Sequence, residues 1–290
     1  MPAAMRLLRD VSRLAAAAGC LAAGASAAAE TPRVAATIFP LYDIVREVGG
    51  PAIAPVLILP PGASPHTFEP RPSSAKAIAR AAVLFKIGHG LDDWAAQLAE
   101  GSGVRRVVTV DGGVRLRRFA GGDVDPHYWL ACENGRTIAR SVAAELANLL
   151  PTERTGIEAR LAAYLGRLES SDAEIRKILM NLPSRSIAML HDGFGYFADA
   201  YGLKVAAVFE PSGDREPSPR AVAEFLRRVR AANVRAIFAE PQLSQDAIRP
   251  IAGDLGLPVS TLDDLGGVPG RESYVSLMLF DARQIAAAAR

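Results

Sequence analysis

Charge imbalance and cysteine are what this chain has least of. Its 33 Lys and Arg face 31 Asp and Glu, a formal net charge of +2, and two of its 290 residues are cysteine. The whole excess falls in the first 29 residues, where Arg6, Arg9 and Arg13 outnumber Asp10. The remainder is close to neutral and has no electrostatic footprint for nucleic acid or anionic lipid. Cys20 lies in the same leading segment, so Cys132 is left alone. No internal disulfide can form, and a packed core must hold the fold. Half of the residues are hydrophobic by type, enough for one or two sizeable cores at this length. Nothing resembles the glycine-rich phosphate loop of an ATPase, so nucleotide energy is not supplied by this chain.

The leading segment is ordered in its own way. Its basic stretch ends at Arg13, an apolar run follows from Leu14 to about Ala23, and Ala25-Ser26-Ala27-Ala28-Ala29 closes it. This is the pattern of a secretory signal peptide cut near Ala27 or Ala29, which sends the mature chain to the periplasm. The apolar run is far short of the roughly 20 residues that an anchor needs. Lipoprotein processing at Gly19-Cys20 is the alternative, with alanines standing before the cysteine where a leucine is usual.

Beyond it, short β-branched or apolar runs alternate with helical patterns, the signal of a mostly parallel α/β sheet. Strands are expected at 34–38, 54–59, 82–87 and 104–110, with helices at 40–48, 74–80 and 91–100 between them and another at 133–150. Ile157, Leu161, Tyr164, Leu165, Leu168 and Ile175 then step mostly by three or four up to about Met180, before Pro183. Around 30 residues at 1.5 Å each make a rod of roughly 45 Å. The alternation restarts with strands at 186–190, 204–209, 234–239 and 259–262 and helices at 194–201, 218–232, 244–255 and 274–289. Ser218-Pro219 pairs a helix cap with a proline at the first helical position. The division is a leader at 1–29, an α/β lobe at 30–150, a joining helix at 151–183 and a second α/β lobe at 184–290.

Histidine is scarce too: four, His66, His89, His127 and His191. Ligands of open α/β sheets sit outside the carboxyl ends of the strands. His66 follows the second strand through Pro60-Pro61-Gly62-Ala63-Ser64-Pro65, and His127 follows the fourth and precedes a helix. His191 ends the first strand of the second lobe and Asp263 ends its last. Two candidates from each lobe thus face one cleft. Imidazole suits zinc and similar borderline ions, and a carboxylate adds charge and hardness. His89 also follows a strand, and spacing alone does not set it aside.

Four motifs, in order, carry a resemblance. They are Pro61-Gly62-Ala63-Ser64-Pro65-His66-Thr67-Phe68-Glu69-Pro70, Asp125-Pro126-His127-Tyr128-Trp129-Leu130, His191-Asp192-Gly193-Phe194-Gly195-Tyr196-Phe197 and Asp263-Asp264-Leu265-Gly266. Together they make the chain similar, from about Val34 to its end, to the zinc/manganese-type periplasmic solute-binding family of ABC importers. The resemblance implies two α/β lobes joined by one long rigid helix, with a metal site in the cleft between them. It implies His66, His127, His191 and Asp263 as ligands, with His89 outside the set. Asp264 stands where proline or a small residue is usual, which leaves a one-residue slip of the fourth ligand open. Cys132 stands where an acidic or polar residue is frequent. Glu240, ending a strand, orients a ligand histidine, caps the next helix or makes a salt bridge.

The implied role is a binding protein, monomeric and not an enzyme, that captures Zn2+, or alternatively Mn2+, and passes it to the importer's membrane permease. Two other classes stand beside it. A metallohydrolase would use the same cluster with Asp192 or Asp264 as base, and needs an open metal position that four protein ligands deny a tetrahedral ion. A surface adhesin is the other. The first motif leans toward zinc, whereas residues 112–124, where zinc-type members often carry a histidine-rich loop, have no histidine.

Overall fold

Among the described residues every strand runs parallel to its sheet neighbours, because helical crossovers return the chain to the same end of the sheet. The structure, a computed structural model, describes residues 30–210 and 218–290; the leader, its cleavage and Cys20 lie outside them. The first sheet contains β1 (Arg33–Ala36), β2 (Ala54–Leu57), β3 (Val83–Lys86) and β4 (Val107–Thr109), in the order β2-β1-β3-β4. Between them lie α1 (Phe39–Gly49), α2 (Pro72–Ile78) and α3 (Trp94–Gly101), and α4 (Cys132–Leu149) follows. The second sheet repeats the order as β6-β5-β7-β8. Its strands are β5 (Ser186–His191), β6 (Lys204–Glu210), β7 (Ile237–Ala239) and β8 (Val259–Thr261).

α5 (Arg154–Ile178) joins the two halves after a single 3-10 turn at Pro151–Glu153. Its 25 residues make a rod of about 37 Å, somewhat shorter than its periodic stretch suggests. The buried positions are Ile157, Tyr164, Leu168 and Ile175 of that stripe. They press on α1 and α4 from the first half and on α9 (Tyr274–Ala288) from the second. The other helices of the second half are α6 (Gly195–Tyr201), α7 (Pro219–Ala231) and α8 (Ile248–Leu255). The Ser218 hydroxyl accepts from Ala221 N–H to open α7, and α6 stops at Gly202 in left-handed backbone.

Several elements are shorter than their hydrophobic runs. Val104 closes the end of α3, its N–H donating to the Ala99 carbonyl at 2.9 Å, so β4 begins only at Val107. Ser244 accepts from Asp246 N–H and holds that entry as a turn, so α8 starts at Ile248. In both sheets the strand order reverses beside the first strand, β1 or β5, and the crevice at such a reversal is where ligands collect. Among the described residues no helix is long and apolar enough to cross a membrane.

Candidate metal centre

His66 arrives on the proline-stiffened loop after β2, and α3 pins that loop in place. Trp94 Nε1 donates to the Pro65 carbonyl at 3.1 Å, and the Trp94 ring meets Phe68 edge-on. His127 stands where the chain turns into the 3-10 turn Tyr128–Leu130 ahead of α4. His191 is the last residue of β5, at the strand-order reversal of the second sheet. The three imidazoles converge: one ligand atom from each falls within 4.8 Å of the others. Nε2 of His66 and Nε2 of His127 are 3.3 Å apart, and the ring centroids of the three stand 5.0 to 5.4 Å from one another. They line a cleft of about 630 Å³.

The far nitrogens of two rings are backed by carboxylates. Asp125 Oδ1 accepts from His127 Nδ1 at 2.9 Å, which presents His127 Nε2 to the cleft. Behind His191, Glu240 Oε1 lies 3.6 Å from Nδ1, and Glu240 is fully buried with neither oxygen hydrogen-bonded. Asp125 is also a junction between the two halves. Its Oδ2 accepts from Arg117 Nη1 at 2.9 Å, and Arg117 Nε reaches Asp199 Oδ2 of α6 at 2.7 Å. Tyr196 Oη accepts from Arg117 N–H at 2.7 Å and donates to the Asp125 carbonyl at 3.1 Å. A Cβ on Gly195 would fall 1.4 Å from Arg117 Nη1, so a side chain at the start of α6 would push this guanidinium aside.

The electrostatics ready two rings for a cation and charge the third. His66 keeps an exposed face, yet desolvation on its cleft side, with the neighbouring imidazoles, pushes its pKa down, and full burial likewise lowers His127. For His191 burial acts against the proton, but Glu240, with Asp264 and Asp192, outweighs it and raises the pKa. Two neutral nitrogen donors therefore meet one imidazole that holds a proton for a dication to displace.

The remaining residues singled out by the sequence fall elsewhere. Asp263 Oδ1 accepts from Leu265 N–H and Gly266 N–H at 3.0 and 2.9 Å, and its Oδ2 is 2.9 Å from Arg271 Nη1. It is not in the histidine cluster. Asp264 accepts from the Gln242 amide, and burial with the nearby Glu240 and Asp263 raises it to about 7. His89 lines the same cleft, but its Nε2 is bonded to Asp111 Oδ2 at 2.9 Å and it also stands outside the cluster. Cys132 is buried at the start of α4, where burial pushes the thiol up to about 11. Asp125, Arg117 and Arg271 were not singled out in the sequence; only Asp125, two residues before a candidate histidine, left a signal.

Fold and site together define a two-lobed α/β protein whose sheets and joining helix gather three imidazoles into one cleft. Residues 34–288 match the family described as the zinc-uptake complex component A, periplasmic, and the chain belongs to that family. The metal ABC transporter substrate-binding lipoprotein FimA of Streptococcus parasanguinis is 28% identical over 285 residues, covering 92% of each chain. The manganese ABC transporter substrate-binding lipoprotein PsaA of Streptococcus pneumoniae is 28% identical over 263 residues, covering 85% of each. The crystal structure of ZnuA superimposes with a TM-score of 0.82 at 29% identity, covering 90% of this chain and 100% of that one.

Proposed function

We propose that this chain binds a divalent transition metal ion outside the cytoplasm and delivers it to the membrane permease of an ABC importer, with zinc as its cargo and manganese as the alternative. The observation that carries the reading is the convergence of His66 from the loop after β2, His127 from the turn ahead of α4 and His191 from the end of β5 to within 4.8 Å. A set of imidazole nitrogens suits zinc, and affinity order at such a site favours zinc over manganese. Asp263 is the fourth ligand of the proposed set by its motif; its carboxylate is bonded to Arg271, so the reading rests on the three imidazoles.

The same reading makes the chain a carrier and not a catalyst. Three histidines with an open position also describe hydrolytic zinc sites, but the matched relatives are named for substrate binding in metal importers. We keep the signal peptide at 1–29, the periplasm and a monomer as part of the proposal, with lobes at 30–150 and 184–290 on either side of the 151–183 helix. The lipoprotein names of the relatives keep Cys20 as the alternative exit.

Elemental analysis of protein taken from the cell envelope, followed by chelator-competition titration with zinc and manganese, tests this. One ion per chain and tighter binding of zinc are expected. A thoroughly chelated protein whose melting temperature ignores stoichiometric zinc at neutral pH would overturn it.

A further inference from the structure

The guanidinium of Arg117 stands between two elements that carry cluster histidines. On one side is Asp125, whose carboxylate backs the His127 ring. The two residues face each other at the base of a hairpin whose arms pair at Arg118 and Val124, and Asp125 N–H donates to the Arg117 carbonyl at 3.0 Å. Arg117 Nη1 then donates to Asp125 Oδ2 at 2.9 Å. On the other side is α6, the helix that follows His191. There Arg117 Nε meets Asp199 Oδ2 at 2.7 Å, and the guanidinium carbon lies 5.5 Å from the centroid of the Tyr196 ring. The Asp199 side chain is 66% exposed, so its pair is weak by itself, whereas that of Asp125 is fully buried and its charged hydrogen bond is the strong end.

We infer that Arg117 assembles the metal site before any ion arrives, by tying the carboxylate behind His127 to the helix that follows His191. The inference rests on the metal-binding reading above and names a positioning residue for it. His127 reaches the cleft from the first half of the chain and His191 from the second. Lone pairs aimed at one point gain nothing from meeting until a cation sits between them, so the empty geometry has to be held from behind. Once bound, the ion holds both rings itself and the tie becomes largely redundant. Loss of Arg117 therefore lowers the fraction of empty molecules ready to bind, which slows capture and scarcely alters release.

Gly195 offers a second way to cut the same tie. A Cβ there falls 1.4 Å from Arg117 Nη1 and 2.5 Å from its Cζ, so alanine displaces the guanidinium while every histidine and every charge stays in the chain. Alanine is also the better helix former, so α6 itself is not weakened.

The test is stopped-flow capture of Zn2+ by the apo mature chain, followed with a fluorescent zinc indicator, and release into excess chelator. The variants are Arg117→Gln, Arg117→Lys, Gly195→Ala and the double variant Arg117→Gln with Gly195→Ala. Arg117→Gln and Gly195→Ala are each expected to slow capture by about tenfold, as if about one empty molecule in ten kept the site assembled, with release changed by less than about threefold. The double variant should match Arg117→Gln, because no guanidinium is left for the Cβ to displace. Arg117→Lys keeps the charge without the fork and should fall between wild type and Arg117→Gln. The visible spectrum of the Co2+ form should be the same in all of them, since no ligand changes.

Capture at the wild-type rate in Arg117→Gln or in Gly195→Ala would overturn the inference. So would faster release in place of slower capture, or additive effects in the double variant. Should Arg117→Gln fail to fold, Gly195→Ala decides alone. If the wild type takes up no zinc, the proposed function itself has failed; wild-type uptake without this variant pattern removes only the role of Arg117.

Discussion

A single carboxylate oxygen, Asp125 Oδ1, receives both the backbone N–H of His127 at 3.0 Å and its ring Nδ1 at 2.9 Å. The ring is thereby fixed in position and in tautomer by one neighbour two residues away. Asp125→Asn can keep one of these contacts but presents either a neutral oxygen or an amide donor. Metal affinity is expected to fall by about 10- to 100-fold with the apo fold intact, as read by competition titration and near-ultraviolet dichroism. Unchanged affinity would mean that the imidazole needs no such support.

The histidines themselves should separate into two groups. His66→Ala and His191→Ala remove a converging nitrogen and should cost more than the about 10–100-fold typical of outer-shell changes. His89→Ala breaks its bond to Asp111 and its edge-on contact with Tyr128, and should change affinity by less than about threefold, well below that range. Loss of binding in His89→Ala alone would show the wrong nitrogens to be in use.

Proton release should report on His191. Its pKa is raised above the ordinary 6.5, while those of His66 and His127 are lowered. Near pH 6, therefore, His191 is the ring that holds a proton, and metal must displace it. Affinity is expected to fall as pH drops through the raised pKa, approaching about tenfold per pH unit. Calorimetry in buffers of different ionisation enthalpy should find close to one proton released per zinc near pH 6 and fewer at higher pH. A constant proton count across that range would contradict the assignment.

Acidity should act on the fold through Asp43. Its carboxylate on α1 accepts from Tyr274 N–H at the start of α9 at 2.8 Å, and burial raises its pKa from 3.8 to about 6. The folded state thus holds this proton more tightly than the unfolded chain. Its stability contribution is full below pH 3.8 and is lost as pH rises through about 6. The change amounts to about 3 kcal/mol across that window. Asp43→Asn keeps an acceptor and should flatten that part of the pH profile, measured by urea unfolding against the wild type.

The joining helix should resist wide closure of the lobes. Arg160 Nε on α5 donates to the Val48 carbonyl of α1 at 2.9 Å, and Arg283 on α9 pairs with Glu174 of α5 at 3.2 Å. Gly166 in its middle is exposed, and a Cβ there would meet nothing within 4 Å. Gly166→Ala should therefore stabilise by up to about 1 kcal/mol without altering metal affinity. Small-angle scattering of apo and zinc-loaded protein should differ only slightly; a lobe rotation on the order of tens of degrees would reject the stiff-helix picture.

Much of this architecture was legible because parallel strands are buried on both faces and read as short apolar runs, such as Val34-Ala35-Ala36, all fully buried. Helix limits were legible where local chemistry sets them, as at Ser218-Pro219 and Gly202. His191 was legible as a strand-end residue, and His66 and His127 as residues of the loops that follow strands, each within a motif. Spacing gave no means of separating His89 from them, because its exclusion depends on Asp111, 22 residues further on. The Arg117–Asp199 and Arg271–Asp263 pairs were not legible either. The first spans two halves of the fold, and the second exists only once a glycine turn has folded back.

The contact behind His191 is, in the end, a matter of counting. β5 and β7 pair with Ala188 beside Ile237 and Met189 beside Phe238; the same count carried two residues past that pairing sets Glu240, just beyond β7, beside His191, where their side chains meet at 3.6 Å. The irregularity between β5 and β6 is one extra residue, Ala206, in β6, and leaves this count untouched. One residue more or less in β7 would set Ala239 or Pro241 against the imidazole, leaving every cleft residue in the chain yet the ring unsupported. Strand length here works as a ruler, and an insertion far from any histidine can misread it.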